Sequence, residues 1–184
     1  MPTTFPGTTV EVLDLQKGAS RVLFDGIFAG GGITLSQVSV MTGLEPYMIQ
    51  NWVKRGFVSS PKKRVYTKEQ FARIVIINML REAIQIDRIC SLVETISDVI
   101  DDTSDNLKGD DDLYHFYVDM ISEGNINLND EKSINEAAAR ATEAVTEKEA
   151  NAKRQLFRIL KIMLFAHTAS QLKASANEIF ASLI

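Results

Sequence analysis

Residues 33–56 read ITLSQVSVMTGLEPYMIQNWVKRG, and this stretch decides the fold. Thr34-x-x-Gln37 has the form of a capping box. In such a box the threonine oxygen accepts from a backbone N–H three residues on, and the glutamine reaches back to the threonine's own N–H. A helix therefore starts at Thr34, with Leu35, Val38 and Met41 spaced along one inward face. Gly43 supplies the turn after it. Pro46 suits the first position of a second helix, where its missing N–H would be unpaired in any case. In that helix Ile49, Trp52 and Val53 share one face, and Tyr47, Gln50, Asn51 and Lys54 share another at i, i+3, i+4 and i+7. Gly56 closes it. The pattern is that of a helix-turn-helix.

Downstream, residues 57–65 leave room for a clipped β-hairpin wing and no more, and they carry the basic run Lys62, Lys63 and Arg64. Thr67-x-x-Gln70 is a second capping box, opening a helix with Phe71, Ile74, Val75, Ile77 and Leu80. A further helix spans about 87–100. The run DDTSDNLKGDDD reads as a solvated acidic loop. It is followed by an aromatic-rich helix over 113–121 and a turn at GNINLND. From Asn125 onward there is neither glycine nor proline, which suits one or two long helices over 131–184. Residues 156–165 are apolar around nearly the whole circumference, so that segment is buried on more than one side, either in a helical bundle or between subunits. Upstream, Val10 to Leu15 suits a short strand or turn and Val22 to Phe28 a short helix. Gly30, Gly31 and Gly32 read as a hinge rather than a phosphate loop, because no lysine and hydroxyl follow at the required spacing.

The overall charge is −4, but it is segregated. Residues 33–96 hold nine basic and five acidic side chains, residues 97–150 four and fifteen, and residues 151–184 five and one. A basic block thus coincides with the helix-turn-helix pattern, the charge footprint expected beside a polyanion. The single Cys90 excludes an internal disulfide and a cysteine-cluster zinc site, and its apolar helical neighbours read it as a small core residue. The Asn125, Asn127, Asn129 and Glu136 spacing lacks the glycine of a calcium loop. His115 and His167 have no partner at catalytic spacing, and no nucleophile elbow, HExxH or dinucleotide fingerprint occurs. An enzyme is not expected, and neither a metal nor a cofactor is implied. No signal peptide or membrane-spanning run is read, so a cytoplasmic protein without membrane contact is expected.

The exposed stripe carries the chemistry. Gln50 and Asn51 have the paired donor and acceptor that match adenine edges, and Lys54 suits guanine or phosphate. Tyr47 shares their face. Arg55, Lys62, Lys63 and Arg64 suit backbone phosphates. The plain alternative is a solvated helix face and an ordinary basic turn. Trp52 keeps register with Ile49 and Val53 and is read as core rather than as a stacking platform.

Residues 43–58 resemble, without a gap, the signature of MerR-type regulators: a turn glycine, a proline-led recognition helix and a closing pair, here Gly56-Phe57. Arg64-Val65-Tyr66 resembles the Arg-x-Tyr that ends their wing. More narrowly, IQNWVKRG, INML and DDDLYHFYV resemble an uncharacterised bacterial family, domain of unknown function 1836. The chain departs from the MerR pattern in having Gln50 in place of an arginine, Trp52 in place of a tyrosine, and a wing several residues shorter.

The expectation is an all-α protein: an N-terminal segment (1–32), a MerR-like winged helix-turn-helix with a vestigial wing (33–100), an acidic linker (101–112) and a helical C-terminal domain (113–184). The expected function is a bacterial transcriptional regulator reading double-stranded DNA. It is expected to act as a homodimer, because one small module rarely reaches regulatory affinity alone, with Leu156, Leu160, Met163 and Leu164 at the interface. The other reading is a non-catalytic protein-interaction module that binds no DNA and presents the acidic and aromatic surface around Tyr114 to Tyr117. No residue pattern identifies a small-molecule effector.

Overall fold

A computed structural model describes residues 3–100, 109–145 and 150–183, with the backbone alone for 97–100. It is mostly helical, as an all-α class requires. Thr3–Thr4 (β1) pairs antiparallel with Glu11–Val12 (β2), and Ile33–Thr34 (β3) pairs antiparallel with Val65–Tyr66 (β4). The helices among the described residues are α1 (Ala19–Phe28), α2 (Leu35–Thr42), α3 (Pro46–Lys54), α4 (Lys68–Leu80), α5 (Ile86–Ile100), α6 (Asp110–Ser122), α7 (Glu131–Ala141) and α8 (Ala150–Ala181).

Helix α4 is the hub. Phe71, Ile74, Val75, Ile76, Ile77 and Leu80 have no exposed surface, so the helix is covered on every side. Helix α6 lies along it, and α5, α8 and α2 close the remaining sides. The N-terminal segment is built into this core. The Phe24 ring of α1 lies 5.3 Å from both Phe71 and Tyr114. The Tyr114 hydroxyl donates to the Pro6 carbonyl at 2.8 Å. Buried Asp119 accepts from the Gly18 amide at 2.7 Å and from Arg21 at 2.5 Å.

The N-terminal segment and helix α6 thus share one aromatic core with α4. Residues 101–108 of the expected acidic linker lie outside the described residues. Its end is not a loop: Asp110 to Asp112 form the first turn of α6, and Asp110 accepts from Arg73 Nε of α4 at 2.6 Å.

The apolar segment of α8 takes the bundle alternative. Leu156, Leu160 and Met163 are fully buried within the single chain and Leu164 nearly so. The four side chains expected at a dimer interface are thus already occupied by α4, α5, α6 and α7. The expected aromatic surface is absent for the same reason, since Tyr114, Phe116 and Tyr117 are buried. Nor is Gly32 a hinge: a side chain there would meet the Tyr66 carbonyl oxygen at 2.9 Å, so the residue permits the close approach of β3 and β4.

Candidate nucleic-acid interface

Both capping boxes form. At the start of α2 the Gln37 amide donates to Thr34 Oγ1 at 3.3 Å, and the Thr34 amide donates to Gln37 Oε1 at 2.8 Å. Gly43 ends α2 at φ 69°, the left-handed region that glycine enters without penalty. The orphan carbonyls at this helix end are taken up from a distance. Thr9 donates its amide to Met41 O at 2.8 Å and its hydroxyl to Val40 O at 2.7 Å. Asn78 Nδ2 of α4 bridges Thr42 O and Gly7 O, each at 3.0 Å. Local sequence gave no sign of these tethers, because their partners lie 31 to 71 residues apart.

Helix α3 follows after three residues, with Pro46 at its start. Ile49 and Trp52 are buried against the core and Val53 is half-buried. The opposite face holds Tyr47 (68 % exposed), Gln50, Asn51 and Lys54, all in water. Among the described residues none of these four side chains has a hydrogen-bond partner in the protein. Their polar groups are unspent, whereas buried polar groups here, such as Ser20, Asp119 and Gln70, are all bonded. Arg55, at the end of the helix, is exposed and lies over the Phe57 ring at 4.6 Å.

The connection to α4 is short and contains one tight turn. Val65 donates to Lys62 O at 3.1 Å, closing a two-residue turn on Lys63 (φ 52°) and Arg64 (φ 64°). Positive φ at both central positions fits a type I′ hairpin turn, which favours glycine and asparagine. Two long cationic side chains occupy it instead, a local conformational cost of the kind that clusters at functional sites. Lys62, Lys63 and Arg64 are all exposed. Val65 then pairs with Thr34, the N-cap of α2, so hairpin and α3 are both referenced to α2.

Gln70 holds the connection from below. Its Oε1 accepts from the Thr67 amide at 2.8 Å, and its Nε2 reaches Ser59 O and Ser59 Oγ at 2.9 Å and Ser60 O at 3.2 Å. The capping-box reading found the first role and missed the second, since the motif does not say where the free amide end points. A cleft of about 580 Å³ opens beside it, lined by Phe57, Ser59, Lys62, Gln70, Arg73 and Asp110. Its Arg73 is already paired with Asp110. Cys90 lies beneath the same connection, with Sγ 3.8 Å from Phe57 O, and burial pushes its thiol pKa up, as suits a packed rather than a reactive cysteine.

The arrangement defines a mostly helical protein that displays one short polar helix face beside a strained basic hairpin. Residues 33–117 match the family model described as a domain of unknown function, DUF1836. The match starts at β3 and runs through the acidic segment to Tyr117 in α6. It therefore takes in the α4–α6 packing as well as the α2–α3 pair. No curated protein and no solved structure matches the chain. No described helix is long and apolar enough to cross a membrane.

Proposed function

We propose that α2 and α3 act as a helix-turn-helix of MerR type and that the protein is a DNA-binding transcriptional regulator. One observation carries the reading: an exposed row of Tyr47, Gln50, Asn51 and Lys54, without partners among the described residues, on a helix whose other face is locked into the core. A helix entering a major groove needs such a row, because base edges are read by paired donors and acceptors held rigidly. Gln50 and Asn51 are the base readers in this proposal. Lys54, Arg55, Lys62, Lys63 and Arg64 neutralise phosphates, and the strained turn presents the last two together.

The test is selection from fragmented genomic DNA at low and moderate salt, with Gln50→Ala and Arg64→Ala alongside. The wild type is expected to enrich discrete sequences. Gln50→Ala should lose selectivity at one position, by about 1–3 kcal/mol. Arg64→Ala should weaken binding to all sequences alike and lower the salt dependence by about one unit. A folded protein that captures no DNA at low salt sinks the proposal. The interaction-module alternative would then rest on the α3 face and the hairpin, because the aromatic surface first assigned to it is core.

A further inference from the structure

The carbonyl end of α2 is held by parts of the chain that are remote in sequence. A helix leaves its last four carbonyls without helical partners, and at an exposed end water can serve them. Here Ser39 O accepts from the Gly43 amide at 2.9 Å. The carbonyls of Val40, Met41 and Thr42 are taken from outside, by the Thr9 hydroxyl, the Thr9 amide and Asn78 Nδ2. Val40 and Thr9 are both exposed, so water was open to the Val40 carbonyl as a partner. A tether there does little for burial. What it does is fix a position.

Residues 5–9 are built to carry such a load. Phe5 and Pro6 are buried. The Phe5 amide donates to Val10 O at 3.0 Å, and Phe5 O accepts from the Thr8 amide at 3.0 Å and the Thr8 hydroxyl at 2.9 Å. Gly7, at φ 72°, is pressed onto α4 so closely that a Cβ there would collide with the Val75 carbonyl oxygen. Pro6 O accepts from Tyr114 Oη of α6 at 2.8 Å. Gly7 O accepts from the same Asn78 amide that holds Thr42 O. The segment runs as a strap from α6, across α4, to the end of α2.

We propose that this strap sets the direction of α3, and that Thr9 is a positioning residue for the row of Tyr47, Gln50, Asn51 and Lys54. The inference rests on the reading of α3 as the helix that contacts DNA. Gly43, Leu44 and Glu45 are all that separate α2 from α3. This turn moves with the end of α2, because Ser39 Oγ donates to Leu44 O at 2.6 Å and Leu44 is buried. Fixing the end of α2 therefore fixes where α3 begins.

The start of α3 matters because the helix is short. It has nine residues and buries Ile49 and Trp52 through one face, which resists lifting off the core better than tilting along it. Base reading is sensitive to tilt, since a binding constellation must be held within about 0.5 Å of its working geometry. Thr9 does not join the row. Its hydroxyl and amide are both used on α2, so its effect on DNA is indirect.

The test uses the full chain with Thr9→Val, which keeps the shape and loses the hydroxyl, and Thr9→Ser, which keeps the hydroxyl. Each is titrated with a genomic fragment that the wild type enriches and with a scrambled duplex of equal length. Thr9→Val should lower the preference between them by about fivefold, what one net hydrogen bond is worth, with the salt dependence unchanged. Thr9→Ser should keep the wild-type preference. On the free proteins, Thr9→Val should speed hydrogen exchange at Gly43 and Leu44 and leave α4 and α6 protected. A Thr9→Val protein that keeps the full preference, or that leaves exchange at Gly43 and Leu44 unchanged, overturns the proposal. So does one that loses affinity for both duplexes equally. A folded wild type that captures no DNA fails differently: it removes the reading of α3 and the assignment of Thr9 with it, while the exchange comparison still decides whether the strap holds the turn.

Discussion

The two Thr-x-x-Gln caps are the same device placed at different depths. At α2 the box stands in water, and Gln37 does nothing beyond closing it. At α4 Gln70 is buried, closes its box, and also ties down Ser59 and Ser60 at the base of the hairpin. The difference teaches that a local motif sets where a helix starts, and that burial decides how much of the molecule depends on it. The same contrast separates α4, buried on all sides, from α3, which keeps one face in water.

The largest effect is expected at the deep end. Phe71, one residue after Gln70, is fully buried against Phe24 and 5.9 Å from the Phe28 ring. Phe71→Ala should cost about 3–5 kcal/mol in denaturant unfolding, the range for emptying an aromatic site in a packed core. A loss below about 1 kcal/mol would mean that this core collapses around the gap, and that α4 is not the hub described.

Acid should attack the same region. His115 of α6 is buried beside Phe24, with Nδ1 2.8 Å from Ser20 Oγ and with Arg21, Asp119, Lys68 and Asp25 as its charged neighbours. Burial is the main cause that lowers its pKa from 6.5 to about 4, and burial does the same for His167, whose Nδ1 lies 2.7 Å from Tyr117 Oη. Both imidazoles are thus neutral when folded and bind protons more readily when unfolded. The histidines' share of the stability should be level above pH 6.5, fall as pH drops from 6.5 toward 4, and level off below that. Each histidine contributes up to about 3 kcal/mol to that fall. His167→Gln should flatten the slope by roughly half, and an unchanged slope would assign the acid sensitivity to other groups.

Much of the fold was legible because its signals are local. Thr34, Gly43, Pro46, Gly56 and Thr67 mark helix ends by chemistry acting within a turn of the chain, and each marks one here. The polar row on α3 was legible for the same reason, since helical periodicity sorts its faces. What was hidden is long-range. Nothing near Tyr114 announces Pro6, and nothing near Thr9 announces Val40. The apolar run 156–165 could not say whether its neighbours were its own chain or another, because burial by either follows the same composition.

The smallest effects divide the two caps most sharply. Gln37→Ala removes two exposed hydrogen bonds from Thr34 to one oxygen and should cost less than about 1 kcal/mol. Gln70→Ala also strips the donor from the Ser59 and Ser60 carbonyls, and should cost about 1–3 kcal/mol. Glutamate separates the two roles. At either position its carboxylate still accepts from the threonine amide and is favoured by the helix N-terminus. Gln37→Glu should therefore be neutral or slightly stabilising. Gln70→Glu keeps the cap but cannot donate, and its carboxylate would face two carbonyl oxygens. It should cost at least as much as Gln70→Ala and loosen the amides of residues 59–65 in hydrogen exchange, while those of α2 stay protected. If Gln70→Glu were as harmless as Gln37→Glu, the clamp beneath the hairpin would contribute nothing. The turn at Lys63 and Arg64 would then owe its conformation to the β3–β4 pairing alone.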